Sequence, residues 1–229
     1  MRTKPPRRWS PERHSHALLP QVSGMVLALG LGLVSLAQAH DLSSRHAATP
    51  TPTMRQEATR GPLTIPDVAL LDQHGRPVQF YQDLVKDKVV VINFIFTTCS
   101  TVCLPAGAHF EALQRLLGDR MGRDVHLLSV SVDPVTDTPP RLRAWGEKFH
   151  AGPGWTLLTG AKSKVDTLLK ALQVFTPDKQ EHTPLVLVGN DATGTWTRAY
   201  GLASPVTLAA LLTSVSGAPI QTSTAQEEH

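Results

Sequence analysis

The stretch Lys88–Phe96 (KVVVINFIF) constrains the fold more than any other, being dominated by β-branched and aromatic residues with no polar alternation. A strand of that kind must be buried on both faces, which confines it to the centre of a sheet covered by helices. Thr97-Thr-Cys99-Ser-Thr-Val-Cys103 follows at once, and from Ala106 to Leu117 apolar residues (Phe110, Leu113, Leu116, Leu117) recur at helical spacing. The two cysteines are therefore expected at the carboxyl end of a central strand, where open α/β sheets place their sites.

The neighbouring segments fit that frame. Asp67–Leu71 and Pro77–Phe80 flank the turn-forming Asp72-Gln-His-Gly75 and predict a hairpin. Val125–Val132 reads as a second buried strand. Thr138 and Pro139 open a helix running to about Phe149. Trp155–Leu158 is expected as a short strand and Lys162–Leu172 as a helix. Leu185–Val188 and Thr195–Tyr200 form a hairpin across residues 190–194, and a last helix begins near Pro205. Strands and helices alternate, then a hairpin and a helix close the chain. This is an α/β three-layer domain with a central mixed sheet and an N-terminal hairpin extension.

The first 39 residues stand apart. Arg2, Lys4, Arg7, Arg8 and Arg13 precede an apolar run from Val22 to Ala37, and Ala37-Gln38-Ala39 offers small residues for cleavage. That order is the secretory pattern, with cleavage expected after Ala39. An uncleaved membrane anchor is the alternative, although the run falls short of the roughly 20 apolar residues of a spanning helix. Five of the 22 basic residues and one of the 19 acidic ones lie in this leader, so the remainder carries 17 against 18 and a formal charge of −1. No basic patch is left that would suit nucleic acid. Residues 40–60, rich in Thr, Pro, Ala, Arg and Gln, read as a flexible linker. The folded unit is expected over 61–217, and 218–229 as a disordered tail.

An exported chain with only two cysteines, four positions apart, gains little from a disulfide, because so short a loop removes little entropy from the unfolded state. The pair is better suited to chemistry. A helix N-terminus supplies free N–H groups and partial positive charge, which favour thiolates and bring cysteine pKa values to about 3.5–7.5. At i and i+4 on a helix the β-carbons stand roughly 5–6 Å apart. A disulfide wants about 3.5–4.5 Å, whereas a bridging metal spans the wider gap. Two thiolates select soft ions, Cu(I) above all, with Zn(II) second.

A third ligand would complete a trigonal site. Eight histidines lie beyond residue 39. His40, His46 and His229 fall in terminal stretches and His74 in a turn; His109, His126 and His150 belong to helix or strand patterns. His182 alone stands in a loop (KQEHTP, 179–184) directly before a strand of the same sheet.

Several separated motifs also carry a resemblance. INFIFTTCSTVCLP looks like the copper-binding motif of Sco/SenC proteins. SVSVDPVTDTPPRLRAWGEKF looks like that family's D-P-x-x-D-T-P strand–turn–helix, and GPGWTLLTG and EHTPLVLVGN resemble its next block and its histidine loop. Together they cover about residues 62–215. The resemblance implies a thioredoxin-like fold, one copper ion held by Cys99, Cys103 and His182, and delivery of that ion to a respiratory oxidase copper site or to another copper protein. Asp133 matches an acidic residue near the family's site; it also suits a turn cap ahead of Pro134. Ser100 replaces the proline that usually follows the first cysteine, and Pro105 comes one residue later than usual, after Leu104. Thr183-Pro184 echoes the Thr-cis-Pro that faces the cysteines of thioredoxins.

With the leader, this reading implies a periplasmic protein, attached to the inner membrane only if the leader is retained. A second reading is enzymatic. Cys99 would attack a partner disulfide and Cys103 would resolve it, making the chain a thiol–disulfide oxidoreductase. A peroxidase variant lacks the expected Thr-x-x-Cys.

Overall fold

The computed structural model describes residues 56–60 and 63–217. The expected leader, most of the expected linker and the tail after Gly217 lie outside these residues. Among the described residues no helix is long and apolar enough to cross a membrane.

Among the described residues eight strands build one sheet. Strands β1 (Gln56–Arg60), β2 (Ala69–Asp72) and β3 (Pro77–Gln79) precede a π-helical turn at Phe80–Val85. Then come β4 (Val89–Ile95), helix α1 (Cys103–Leu117), β5 (Val125–Ser131), α2 (Pro139–Lys148), β6 (Trp155–Thr159) and α3 (Lys162–Ala171). Strands β7 (Leu185–Asn190) and β8 (Thr195–Tyr200) and helix α4 (Pro205–Ser216) close the chain. The sheet order is β1-β8-β7-β4-β5-β6-β2-β3. Strands β4, β5 and β6 run parallel, while β7 and β8 form an antiparallel pair joined antiparallel to β4.

The apolar run of β4 explains the three layers. Val90, Ile92 and Phe94 face one side and pack with Val165, Leu168, Leu169 and Leu172 around α3, together with Phe80 and Val85 of the π turn. Val91 and Ile95 face the other side, against Phe110 and Leu113 of α1, Trp145 of α2 and Leu208 and Leu212 of α4. Both faces are dry, so the strand needs no alternation. On the α1 side Phe110, Trp145, Phe149 and Trp155 form a ring cluster with centroids 4.6–6.4 Å apart. Gly107 lets α1 approach this cluster, since a Cβ there would come within 2.5 Å of the Phe149 ring.

The hairpin of β2 and β3 forms as expected, with Leu70 opposite Val78, and its turn is closed by Asp72, whose carboxylate accepts the amides of His74 and Arg76. Two boundaries differ from the sequence reading. Strand β1 lies inside the stretch expected to be linker: it adds to the outer edge of β8, with Gln56 opposite Ala199 and Arg60 opposite Thr195. Backbone pairing at an edge leaves no apolar period to read. Helix α1 starts at Cys103, earlier than the apolar period at Ala106, because its first turn carries Pro105 and small residues.

Candidate metal centre

Strand β4 delivers the cysteines and strand β7 delivers the histidine. Because the two run antiparallel, with Asn93 opposite Val186, the end of β4 and the start of β7 lie at the same edge of the sheet. The residues after Ile95 and those before Leu185 are thereby brought side by side.

Cys99 is not on the helix. It lies in the turn ahead of α1, its amide donating to the Phe96 carbonyl at 3.1 Å, and Cys103 is the first helical residue. The expected i, i+4 face shared on a helix is therefore corrected. A turn joins the two instead, and the Cys103 amide donates to Cys99 Sγ at 3.4 Å. Both cysteines are free thiols, 7% and 1% exposed.

Their electrostatics split. Burial pushes the Cys99 thiol up, but hydrogen bonds from the Cys103 thiol and amide and from Thr101 outweigh it and hold Cys99 below the ordinary cysteine value. Burial also pushes Cys103 up, and its hydrogen bond to Cys99 keeps its proton in place, so it stands at about 12. The expectation that the helix start lowers both values holds for Cys99 alone, since desolvation dominates at the deeper sulfur.

The cysteine turn is anchored from below. Thr97 donates its amide to both carboxylate oxygens of Asp137 at 3.1 Å and its hydroxyl to one of them at 2.6 Å. Ser131 at the end of β5 donates its hydroxyl to the other oxygen at 2.6 Å. Asp137 is fully buried, and these bonds satisfy it without a cation.

His182 follows a short 3-10 turn, Lys179–Glu181, whose start is capped by the Asp178 carboxylate accepting the Gln180 amide. His182 is 8% exposed, and neither ring nitrogen has a hydrogen-bond partner. Burial lowers its pKa, so the imidazole is neutral at neutral pH. His182 and Cys103 line one narrow cleft of about 20 Å³, whose walls also include Asn93, His109 and Leu202. Cys99 is not in the lining but touches the site through the Cys103 amide. Among the described residues no three His, Cys, Asp or Glu side chains are grouped closely enough to hold one ion. The three predicted ligands thus share one region without being closed into a set. Thr183–Pro184 is a trans bond, unlike the cis bond that its thioredoxin echo raised.

Asp133 lies on the loop after β5 and pairs with Lys179, Nζ to Oδ2 2.5 Å. Burial raises its pKa, but Lys179 and Thr136 outweigh that and hold the carboxylate below its usual range.

Three neighbours of the site were not assigned by sequence. Asn93 is buried with both amide atoms unpartnered, and a carboxamide inside an otherwise apolar strand was the available signal. His109 lines the cleft, with Nδ1 held by the Ala203 carbonyl at 2.9 Å, a contact between α1 and the residues before α4. Lys179 becomes relevant only through the fold.

Comparison with known proteins follows the same pattern. The model of the SCO1/SenC family matches residues 56–202. The SCO1 protein homolog of Bacillus subtilis (strain 168) is 36% identical over 90 residues, covering 39% of this chain and 45% of the relative. The chain thus spans about half the length of that curated relative. Among solved structures, Bradyrhizobium japonicum ScoI with copper bound is 25% identical at a TM-score of 0.55, covering 66% of this chain and 99% of that one. BsSco, a member of the Sco family of cytochrome c oxidase assembly proteins in which a disulfide switch was identified, is 26% identical at a TM-score of 0.53, covering 65% and 90%.

Proposed function

The chain belongs to the SCO1/SenC family, and from that premise we propose that it is an exported copper carrier, holding Cu(I) through Cys99, Cys103 and His182 and passing it to a respiratory oxidase copper site. The observation that carries this reading is the His182 ring, buried beside Cys103 with both nitrogens unpartnered. A buried imidazole without hydrogen bonds is costly, and a cation bound at its unprotonated nitrogen relieves part of that cost. Two sulfurs and one neutral nitrogen form a soft, three-donor set that suits Cu(I).

The protein's own contribution is positional. Asp137 fixes the turn that carries Cys99, α1 presents Cys103, and the loop before β7 brings in His182. Capture closes the His182 side chain onto the thiols, and Cys103 gives up a proton as the ion arrives. Release to a partner reverses the closure by ligand exchange. The export signal over 1–39 and the partner belong to the same proposal, since a leader of this type delivers the domain to the compartment that faces the oxidase.

A second reading rests on the sulfur asymmetry. Cys99, with its lowered pKa, would attack a partner disulfide, forming a mixed disulfide and expelling one partner thiolate. Cys103 would then attack Cys99 Sγ, leaving the Cys99–Cys103 disulfide and two reduced partner thiols. The proton held on Cys103 at about 12 opposes its ionisation in either reading; the unpartnered His182 ring, which disulfide exchange does not use, favours the carrier.

Anaerobic titration of the reduced full chain with Cu(I) tests the proposal. One ion per chain, with binding sharply weakened in His182→Ala, is the expected result. Undiminished affinity in His182→Ala would remove the imidazole from the site and leave a redox protein.

A further inference from the structure

We propose that Lys179 is a positioning residue for His182, latching the histidine loop onto the polar scaffold that anchors the cysteine turn. This rests on the copper-carrier reading and names the part of the chain that sets the distance between its ligands.

A continuous path of contacts joins the two ligand segments. Thr97, two residues before Cys99, is bound to Asp137. Asp137 receives the Ser131 hydroxyl, and the Asp133 amide donates to that hydroxyl at 3.0 Å. Asp133 receives the Lys179 ammonium at 2.5 Å, and the Lys179 carbonyl accepts the His182 amide at 3.3 Å. Lys179 also closes the ring from its other side: its ammonium lies 5.6 Å from the centroid of Phe96, whose carbonyl accepts the Cys99 amide. One residue therefore links the strand end ahead of the cysteines and the loop after β5, through its side chain, to His182, through its carbonyl.

The pair is more than an ordinary surface contact. The Asp133 side chain is 12% exposed and that of Lys179 33%, so water screens the attraction less than it does for the exposed pairs worth next to nothing. Apart from it, the histidine segment is held by the Asp178 cap and by the Gly201 amide on the Pro184 carbonyl at 2.8 Å. Neither reaches toward the cysteines. With the latch made, the backbone of His182 is fixed relative to Cys99. Without it, the ordering of that loop falls on the metal-binding step.

The test uses the reduced full chain, Cu(I) and a competing chromophoric chelator. Lys179→Met keeps the aliphatic stem and removes the charge. Its Cu(I) affinity should fall about tenfold, the low end of the loss on removing an outer partner of a ligand. One ion per chain should remain, with unchanged reactivity of Cys99 toward a small disulfide. Lys179→Arg should restore affinity, and Lys179→Met with Asp133→Asn should be no weaker than either alone. Wild-type affinity in Lys179→Met, failure of Lys179→Arg to rescue, or additive losses in the double variant overturn the latch. If Lys179→Met does not fold, Asp133→Asn carries the same comparison: a tenfold loss supports the latch and wild-type affinity ends it. Failure of the wild-type chain to bind Cu(I), or full binding in His182→Ala, defeats the copper reading itself and is told apart by those two proteins alone.

Discussion

Thr97 to Cys103 is fastened by an amide and a hydroxyl onto one fully buried carboxylate, whereas Thr176 to Pro184 is fastened by a half-exposed lysine and a capped 3-10 turn. The cysteine side is part of the core, since both sulfurs belong to the apolar cluster packed between the sheet and α1. The histidine side lies over the edge of that core, with both nitrogens of its ring left without partners. A binding site of this kind is half prebuilt. In the proposed copper carrier the fold supplies the sulfurs, and the last donor is held on its loop by weaker ties.

Removing a sulfur should break this contrast most severely. Cys99→Ala or Cys103→Ala is expected to lose Cu(I) in the chelator competition by well over the roughly 10–100-fold that outer partners contribute. Retention of wild-type affinity would show that the prebuilt half is not the binding half.

Next is the anchor under the turn. Asp137→Ala strands the Thr97 amide and the Ser131 hydroxyl in the core. The variant should lose about 2–4 kcal/mol in urea unfolding of the metal-free protein. The latch should behave oppositely, with Lys179→Met moving that stability by under about 1 kcal/mol while it weakens the metal. Comparable unfolding losses in the two variants would erase the distinction between the sides.

Within the cysteine side, alkylation at pH 8 followed by peptide mapping should favour Cys99 over Cys103 by at least about tenfold, because the thiolate is the reactive form. Equal labelling would contradict the split held by burial and hydrogen bonding.

The smallest effect is acidic. Asp133 has a folded pKa below its unfolded value, so its contribution is present above the unfolded carboxylate pKa of about 3.9 and is lost as pH falls through the folded value. Wild-type stability should therefore drop below pH 4 by a fraction of a kcal/mol more than that of Asp133→Asn. Parallel pH profiles would mean that the pair contributes nothing to folding.

Much of this was legible in the sequence. The run KVVVINFIF declared a strand buried on both faces, the chain's two cysteines followed it directly, and His182 was set apart from the other histidines by its loop ahead of a strand. What stayed hidden depends on tertiary geometry. Strand β1 is held by backbone pairing to β8, which leaves no side-chain pattern. Cys99 sits ahead of the helix because the chain needs a turn between β4 and α1, and the i, i+4 spacing does not report which residue begins the helix. The high pKa of Cys103 follows from its depth under α1. Lys179 is a loop lysine until Asp133 is placed opposite it, and Asn93 was a visible anomaly whose neighbours the sequence could not supply.

The antiparallel join of β4 and β7 also sets a timetable. The first sulfur and the imidazole are remote in the chain and become neighbours only when β7 pairs with a strand synthesised long before it. Long-range pairings of this sort complete late in folding. If the three proposed ligands bind as a set, a nascent or partly folded chain offers loose thiols but no third donor, and tight capture of the ion would report that β7 has joined β4.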